Sequence, residues 1–185
     1  MAVAYFGFTA GWDDAQPCQY TFSNDNSNIV FTCPNSGTQD VKELGAYVYA
    51  NQSGHIRLAL YDTSRNLICQ GSAEMDVALI TSHGWQTHTE FVDADGEPVS
   101  PTITGGTNYI IALAGDTSNA YIWCTGVTSG WMKRDDEYTG GYPASLPWFT
   151  TWEKKFGVRC GVEASAAGGA NYVPAIYHYQ RMRAA

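Results

Sequence analysis

The segment 54–71 constrains the fold most, because it alternates apolar and polar residues and then turns back on itself. Ile56, Leu58 and Leu60 occupy every second position, which predicts an extended strand that buries this face. The residues of the opposite face are expected to meet solvent: His55, Arg57, Ala59 and Tyr61. Residues 62–66 read as a polar turn, and residues 67–69 as a returning strand. A lone hairpin is marginal in water, so a second sheet must cover its apolar face, and a β-sandwich is predicted.

The rest of the chain agrees with an antiparallel all-β fold. Glycine occurs 19 times and aromatic residues make up 14% of the sequence, which favours short strands and tight turns. No stretch before residue 164 keeps a helical period over three turns. The nearly continuous apolar run at 109–114 predicts a central strand covered on both faces. Other strands are predicted at 3–8, 20–22, 29–33, 41–50, 86–92, 120–125 and 156–162.

The 185 residues fit one domain with a tail. Residues 1–163 are predicted to form the sandwich. Residues 164–170, which are Ala, Ser and Gly only, are typical of a flexible linker. Residues 171–185 are again apolar and also basic, so they are expected to be a docking arm that lies either on the sandwich or on a neighbouring subunit.

Charge and hydropathy exclude several classes of partner. A net charge of −8 and a pI near 4.7 argue against nucleic acid, because phosphate binding needs a basic face. No run approaches the roughly 20 apolar residues of a membrane-spanning helix. The first nine residues contain no Lys or Arg, unlike a secretory signal. The protein is therefore expected either to work inside a cell or to leave it by a route without a signal, such as lysis.

The cysteine spacing leaves one disulfide open. The five cysteines form no C-x-x-C pair, which excludes a zinc ribbon or a thioredoxin motif. If residues 24–27 turn a hairpin, Phe22 faces Ile29 and Cys18 faces Cys33, close enough for a disulfide. The alternative is two buried thiols.

A predicted long loop at 127–155 carries an unusual number of aromatic residues, and long loops in compact domains are usually functional. Tryptophan and tyrosine rings can stack on sugar rings, anchor a protein interface or simply pack in the core. These three interpretations stay open for the candidate ligand-contact residues, which are Trp131, Arg134, Tyr138, Tyr142, Trp148 and Trp152.

The acidic segment 93–97 is the candidate metal site. Asp93, Asp95 and Glu97 place carboxylates at alternate positions around a glycine, as calcium loops do. The EF-hand spacing is absent, and an ordinary turn explains the same composition. A structural calcium ion is the one cofactor that the sequence suggests.

Catalytic signatures are missing from the sequence. It contains no nucleophile elbow, P-loop, dinucleotide fingerprint or H-E-x-x-H motif. The glutamates stand in polar contexts, which does not favour a carboxylate pair for glycoside hydrolysis. No catalytic residue is predicted, and a non-enzymatic protein is expected.

The order of several features resembles a known group of domains. The strand 41–50 is followed by Gly-His-Ile-Arg-Leu-Ala-Leu-Tyr-Asp (54–62), Trp85, Gly-Gly-Thr-Asn-Tyr-Ile-Ile-Ala-Leu-Ala (105–114) and Gly-Gly-Tyr-Pro-Ala-Ser-Leu-Pro (140–147). Over residues 41–162 this resembles jelly-roll β-sandwich domains of phage virion proteins and bacterial polysaccharide-associated proteins. The segment 172–183 is also similar to the aromatic and basic tails of phage structural proteins.

The resemblance implies a non-catalytic surface or adhesion module on a virion, as a capsid decoration or tail-associated protein. The expected partners are other virion subunits, held through the arm in a homo-oligomer, with a glycan as a further candidate ligand. The alternative is a secreted or cell-surface carbohydrate-binding module of a bacterial polysaccharide-degrading system. A third is a small polysaccharide-active enzyme.

Overall fold

The computed structural model describes residues 3–7, 18–22, 25–34, 36–49, 53–115, 120–135, 141–146 and 150–163. At 18–22, 25–29, 120–135 and 150–156 it describes the backbone alone. The regular secondary structure of the described part consists of strands and one short 3-10 helix, Val77–Leu79. Within these ranges no helix is long and apolar enough to cross a membrane.

The strands are numbered in chain order. They are β1 (Val3–Gly7), β2 (Cys18–Phe22), β3 (Asp25–Thr32), β4 (Thr38–Val48), β5 (His55–Asp62), β6 (Leu67–Gly71), β7 (Met75–Asp76), β8 (Gly84–His88), β9 (Phe91–Val92), β10 (Pro98–Val99), β11 (Thr102–Thr104), β12 (Asn108–Gly115), β13 (Ala120–Asp135), β14 (Thr150–Phe156) and β15 (Val158–Glu163).

Two antiparallel sheets pack against each other, which confirms the predicted β-sandwich. The first sheet contains β1, β15, β4 and β8, and β11 pairs with the start of β4. The second runs in the order β3, β12, β5, β6, β9 and β10. Strand β13 connects them, because it pairs with β4 at Ile122 and with β3 along 131–135. The jelly-roll connectivity stays a prediction.

The main core lies between the two sheets and uses the alternation read from the sequence. The faces of β4 and β5 that point inward are fully buried, as the period-two pattern predicts. Their inward residues are Leu44, Ala46, Val48, Ile56, Leu58 and Leu60.

A second, smaller core covers the outer face of the second sheet. Tyr142 and Leu146, from the segment 141–146, pack there on residues of β5 and β12. The covered residues are Ala59, Tyr61, Ile110, Ala112 and Ala114. Strand β12 is therefore buried on both faces, as its apolar run predicts.

The same covering segment corrects one expectation. The prediction that this face of β5 is exposed to solvent is wrong at Ala59 and Tyr61, which are fully buried. His55 and Arg57, on the same face but beyond the reach of the small core, are only partly buried.

The region predicted as one long aromatic loop, 127–155, is extended at its two ends. Strands β13 and β14 occupy both ends of this range and pair antiparallel, with a register shift between Gly126 and Trp131. Glycines weaken strand patterns and often mark bulges. Gly126 and Gly130 interrupt the alternation here, and the sequence pattern therefore resembled a loop.

The hairpin register expected between β2 and β3 is not the one observed. Ile29 pairs with Ile111 of β12 on one side and with Trp131 of β13 on the other, so it does not pair with Phe22. Cys18 is opposite Cys124 in the pairing of β2 with β13. The register that motivated a Cys18–Cys33 disulfide is thus wrong, and the disulfide itself stays a prediction.

Cys33, Cys69 and Cys160 lie in the main core and are fully buried. Burial raises the pKa of the Cys69 and Cys160 thiols above the ordinary cysteine value. Because the thiolate is the reactive form, these side chains act as small apolar core residues.

The linker 164–170 and the arm 171–185 lie outside the described residues. The division of the chain into sandwich, linker and arm stays a prediction.

His88 is a buried polar residue, 7% exposed, and it joins the two sheets. Its Nε2 accepts a hydrogen bond from the Leu58 amide across the core, at 3.3 Å. A Cβ at Gly71 would collide with the imidazole ring, so glycine is needed beside it. Burial, with the nearby Arg57 charge, lowers the pKa of His88 to about 4.

This pKa predicts a loss of stability in acid. The unfolded chain binds a proton on His88 near pH 6.5, whereas the folded chain binds it only near pH 4. Protonation of His88 therefore leaves the unfolding free energy unchanged above pH 6.5 and lowers it by about 3 kcal/mol as the pH drops to 4. Urea unfolding of His88→Gln, which keeps an acceptor without titrating, should show a flatter pH dependence. A pH dependence in His88→Gln as steep as that of the wild type would contradict the assignment.

The small core predicts a second stability difference. Leu146 is 2% exposed against the second sheet, whereas Leu79 is 78% exposed. Leu146→Ala should cost about 2–3 kcal/mol of unfolding free energy, because it removes buried methyl groups and leaves a cavity. The matched variant Leu79→Ala should change it by less than about 0.5 kcal/mol. Denaturant titrations of both variants test this, and equal losses would show that 141–146 is not a packed layer.

Candidate functional site

A cleft of about 310 Å³ opens on the outer side of the second sheet, where the turn 93–97 approaches the segment 141–146. Strands β5 and β6 form its floor. The residues that line it are Arg57, Gln70, Ser72, Val92, Ala94, Asp95, Gly96, Gly141 and Tyr142.

The floor follows from the hairpin that dominates the sequence. Ala59 is opposite Gln70 in the pairing of β5 with β6. Arg57, two residues before Ala59, shares its face, since side chains alternate along a strand. Ile56, Leu58 and Cys69 point the other way into the main core. The hairpin therefore directs the Arg57 guanidinium and the Gln70 amide to the outer face of the second sheet.

Gln70 holds the walls of the cleft together and is itself only 3% exposed. Its Oε1 accepts a hydrogen bond from the Tyr142 amide at 2.8 Å, and Arg57 Nη1 lies 3.5 Å from the same oxygen. Its Nε2 donates to the Asp93 carbonyl at 3.0 Å. One buried side chain thus ties the segment 141–146 to the turn 93–97, which satisfies groups that would be costly to bury alone.

Tyr142 supports the cleft from beneath. Its ring is buried and meets Tyr61 edge to face, with centroids 6.1 Å apart. Its hydroxyl donates to the Arg57 carbonyl at 3.3 Å, and the Tyr61 hydroxyl donates to the Pro143 carbonyl at 2.8 Å. Because its ring is largely covered, Tyr142 fixes the segment more than it offers a stacking surface.

Gly141 allows this close approach. Its φ is +144°, which disfavours other residues. A Cβ there would lie 3.2 Å from Arg57 Nη1 and 3.3 Å from Gln70 Oε1. Any side chain would therefore press on the pair that forms the floor of the cleft.

The acidic segment 93–97 is a turn built by its first carboxylate. Asp93 Oδ1 accepts hydrogen bonds from the amides of Asp95 and Glu97, at 2.9 and 3.0 Å. Asp95 then lies on the cleft wall, whereas Glu97 is not among the lining residues. Across the described ranges, no three Asp, Glu, His or Cys side chains are grouped to hold a metal ion. Calcium at Asp93, Asp95 and Glu97 stays a prediction.

The predicted ligand-contact residues fall into three sets. Tyr142 lines the cleft. Trp131 and Trp152 are opposite each other in the β13–β14 pairing, and Arg134 is opposite Asn26 of β3. Tyr138 and Trp148 lie outside the described residues. A contact of these residues with a ligand or partner stays a prediction.

Sequence reasoning placed Asp95 and Tyr142 in two unrelated candidate sites, and the structure brings them to one cleft. The sequence patterns did not single out Arg57, Gln70 or Ser72 as site residues. The available signal was the alternation of the hairpin, which puts Arg57 and Gln70 on the face opposite the core.

A second distinctive surface lies on the outer face of the first sheet. We call it the Arg159 ladder, made of Tyr5, Arg159, Trp85 and Tyr47. The Arg159 guanidinium lies 4.3 Å from the Tyr5 ring centroid and 4.2 Å from the Trp85 ring centroid. Trp85 meets Tyr47 edge to face, with centroids 5.6 Å apart. Such cation–π and aromatic contacts stabilise a partly exposed surface by about 0.5–1 kcal/mol each.

Two neighbours hold Arg159 in the ladder. Glu43 Oε1 accepts from its Nε at 3.0 Å and its Nη2 at 2.8 Å. Gly45 of β4 is opposite Arg159 on one side and Thr87 on the other. A Cβ at Gly45 would lie 3.1 Å from Thr87 and 3.4 Å from Arg159. Glycine therefore lets the arginine extend across β4 to Trp85.

The role of Gln70 can be tested by removing its polar groups. Gln70→Leu leaves the Tyr142 amide and the Asp93 carbonyl without this partner, which should lower the unfolding free energy by about 2 kcal/mol. Hydrogen exchange of the Tyr142 amide should accelerate in this variant. Gln86→Leu, at a half-exposed position of β8, should leave both quantities near wild type. Unchanged exchange at Tyr142 would show that Gln70 does not hold the segment.

No protein-family model matches this chain, and neither does any curated protein.

Proposed function

We propose that the protein is a non-catalytic structural or adhesion component of a phage particle, which acts by binding other subunits and a glycan. The observation that carries the proposal is the cleft on the outer side of the second sheet, whose two walls are joined by buried Gln70. A polar surface held in place before binding loses little conformational entropy when a partner arrives.

The bonding of the cleft residues favours recognition over catalysis. Gln70 is occupied by structural hydrogen bonds, and the Asp93 carboxylate accepts from two backbone amides. Arg57 and Asp95 line the cleft and carry a guanidinium and a carboxylate. A donor and an acceptor on a rigid wall are suited to binding a polar ligand.

The Arg159 ladder supports the protein-binding part of the proposal. Tyrosine, tryptophan and arginine are enriched at protein interfaces and among the residues that dominate binding energy. Here three rings and a guanidinium cross the strands β1, β15, β4 and β8 on one face. The virion location itself rests on the resemblance of residues 41–162 and 172–183.

The second candidate is a carbohydrate-binding module of a bacterial polysaccharide-degrading system. The mixed donors and acceptors of the cleft favour it equally, since sugar hydroxyls both donate and accept. The two candidates differ in assembly, because a virion component must associate with other subunits.

The proposal predicts that assembly depends on residues 171–185. The full-length chain should sediment as a homo-oligomer, and a chain ending at residue 170 should sediment as a monomer, because the apolar and basic arm supplies the contact. A Gly/Ser segment of equal length in place of 171–185 is the control for chain length and should also be monomeric. Analytical ultracentrifugation at micromolar concentration tests this. Oligomers formed equally well without the arm would refute its role, and a monomeric full-length chain would favour the carbohydrate-binding module.

A further inference from the structure

We infer that the cleft between the turn 93–97 and the segment 141–146 is a subsite for one neutral sugar ring, with Arg57 donating to its hydroxyls and Asp95 accepting from them. This inference deepens the proposed function and rests on it. It assigns the glycan contact to Arg57 and Asp95, neither of which belongs to the ligand-contact set expected from the sequence.

The size of the cleft limits the ligand. Its volume of about 310 Å³ is at the lower end of the roughly 300–1,000 Å³ typical of small-molecule pockets. One monosaccharide unit is a ligand of the appropriate scale, with the rest of a chain extending into solvent. Val92 and Ala94 add a small apolar area to the lining, which can meet the C–H groups of such a ring.

The charges of the lining select for a neutral polar ligand. Among the described residues that line the cleft, Arg57 is the one cation and Asp95 the one acid. An anion would be opposed by Asp95 and by the net charge of −8, and a cation would be opposed by Arg57. A sugar hydroxyl can accept from the guanidinium and donate to the carboxylate, so a polyhydroxyl compound satisfies both.

The walls are fixed before a ligand arrives. Gln70 bonds the Tyr142 amide on one side and the Asp93 carbonyl on the other. The Asp93 carboxylate holds the amide of Asp95, so the turn that carries the acceptor is ordered. The Tyr142 hydroxyl bonds the Arg57 carbonyl at the base of the donor. Both groups that would contact a sugar are thus attached to hydrogen-bonded backbone.

The test uses the full-length protein and free sugars in saturation-transfer NMR. The probes are glucose, galactose, mannose and N-acetylglucosamine, with glucuronate, galacturonate and inorganic phosphate as anionic counterparts. At least one neutral sugar should bind. Asp95→Asn should weaken that binding about tenfold or more, because it removes a charged acceptor. Ser72→Phe, which fills the cleft from an exposed lining position, should abolish it.

Glu97→Gln is the matched control, since it makes the same charge change on the same turn outside the cleft lining. It should bind the sugar like wild type, and all three variants should unfold at the same denaturant midpoint within error. Tighter binding of the uronates or phosphate than of every neutral sugar would overturn the inference. So would the absence of binding to any neutral sugar, or sugar binding that survives both Asp95→Asn and Ser72→Phe. None of these results would affect the prediction that assembly depends on the arm. Conversely, a full-length chain that is monomeric but still binds a sugar would refute only the virion proposal.

Discussion

The structure depends on burying both faces of the β5–β12 pair. One face meets the first sheet, and the other would expose Tyr61, Ile110 and Ala112 if the segment 141–146 did not lie across it. Each Å² of apolar surface that folding removes from water stabilises the fold by roughly 25 cal/mol. The covering segment is therefore an integral layer of the domain, although it contains little regular structure.

The position of the cleft depends on where the covering segment 141–146 ends on the second sheet. The small core covers Ala59 and Tyr61 but stops before Arg57, and a polar side chain must close the edge. Gln70 does this by bonding the Tyr142 amide and the Asp93 carbonyl. A buried amide is stable only when its polar atoms are satisfied. The packing of the layer and the shape of the cleft are consequently set by the same hydrogen bonds.

Much of the fold was predictable because strand periodicity is a local property. The alternation at 54–71 predicted β5 and β6, and the apolar run at 109–114 predicted a strand covered on both faces. The errors arose where partners are distant in the chain. The predicted opposition of Phe22 and Ile29 failed because β13 and β12 occupy both edges at Ile29. The loop predicted at 127–155 is partly the β13–β14 pair, whose glycines and register shift hide its periodicity.

The sequence alone determined an antiparallel sandwich, its central strands and its acidic turn, since each depends on neighbouring residues and on which side chains avoid water. Tertiary structure alone decided that Asp95, Arg57, Gln70 and Tyr142 share one cleft, and that Arg159 reaches Trp85 across Gly45. These residues lie far apart in the chain. Their proximity depends on strand order and on the path of the segment 141–146, neither of which leaves a periodic signal in the sequence.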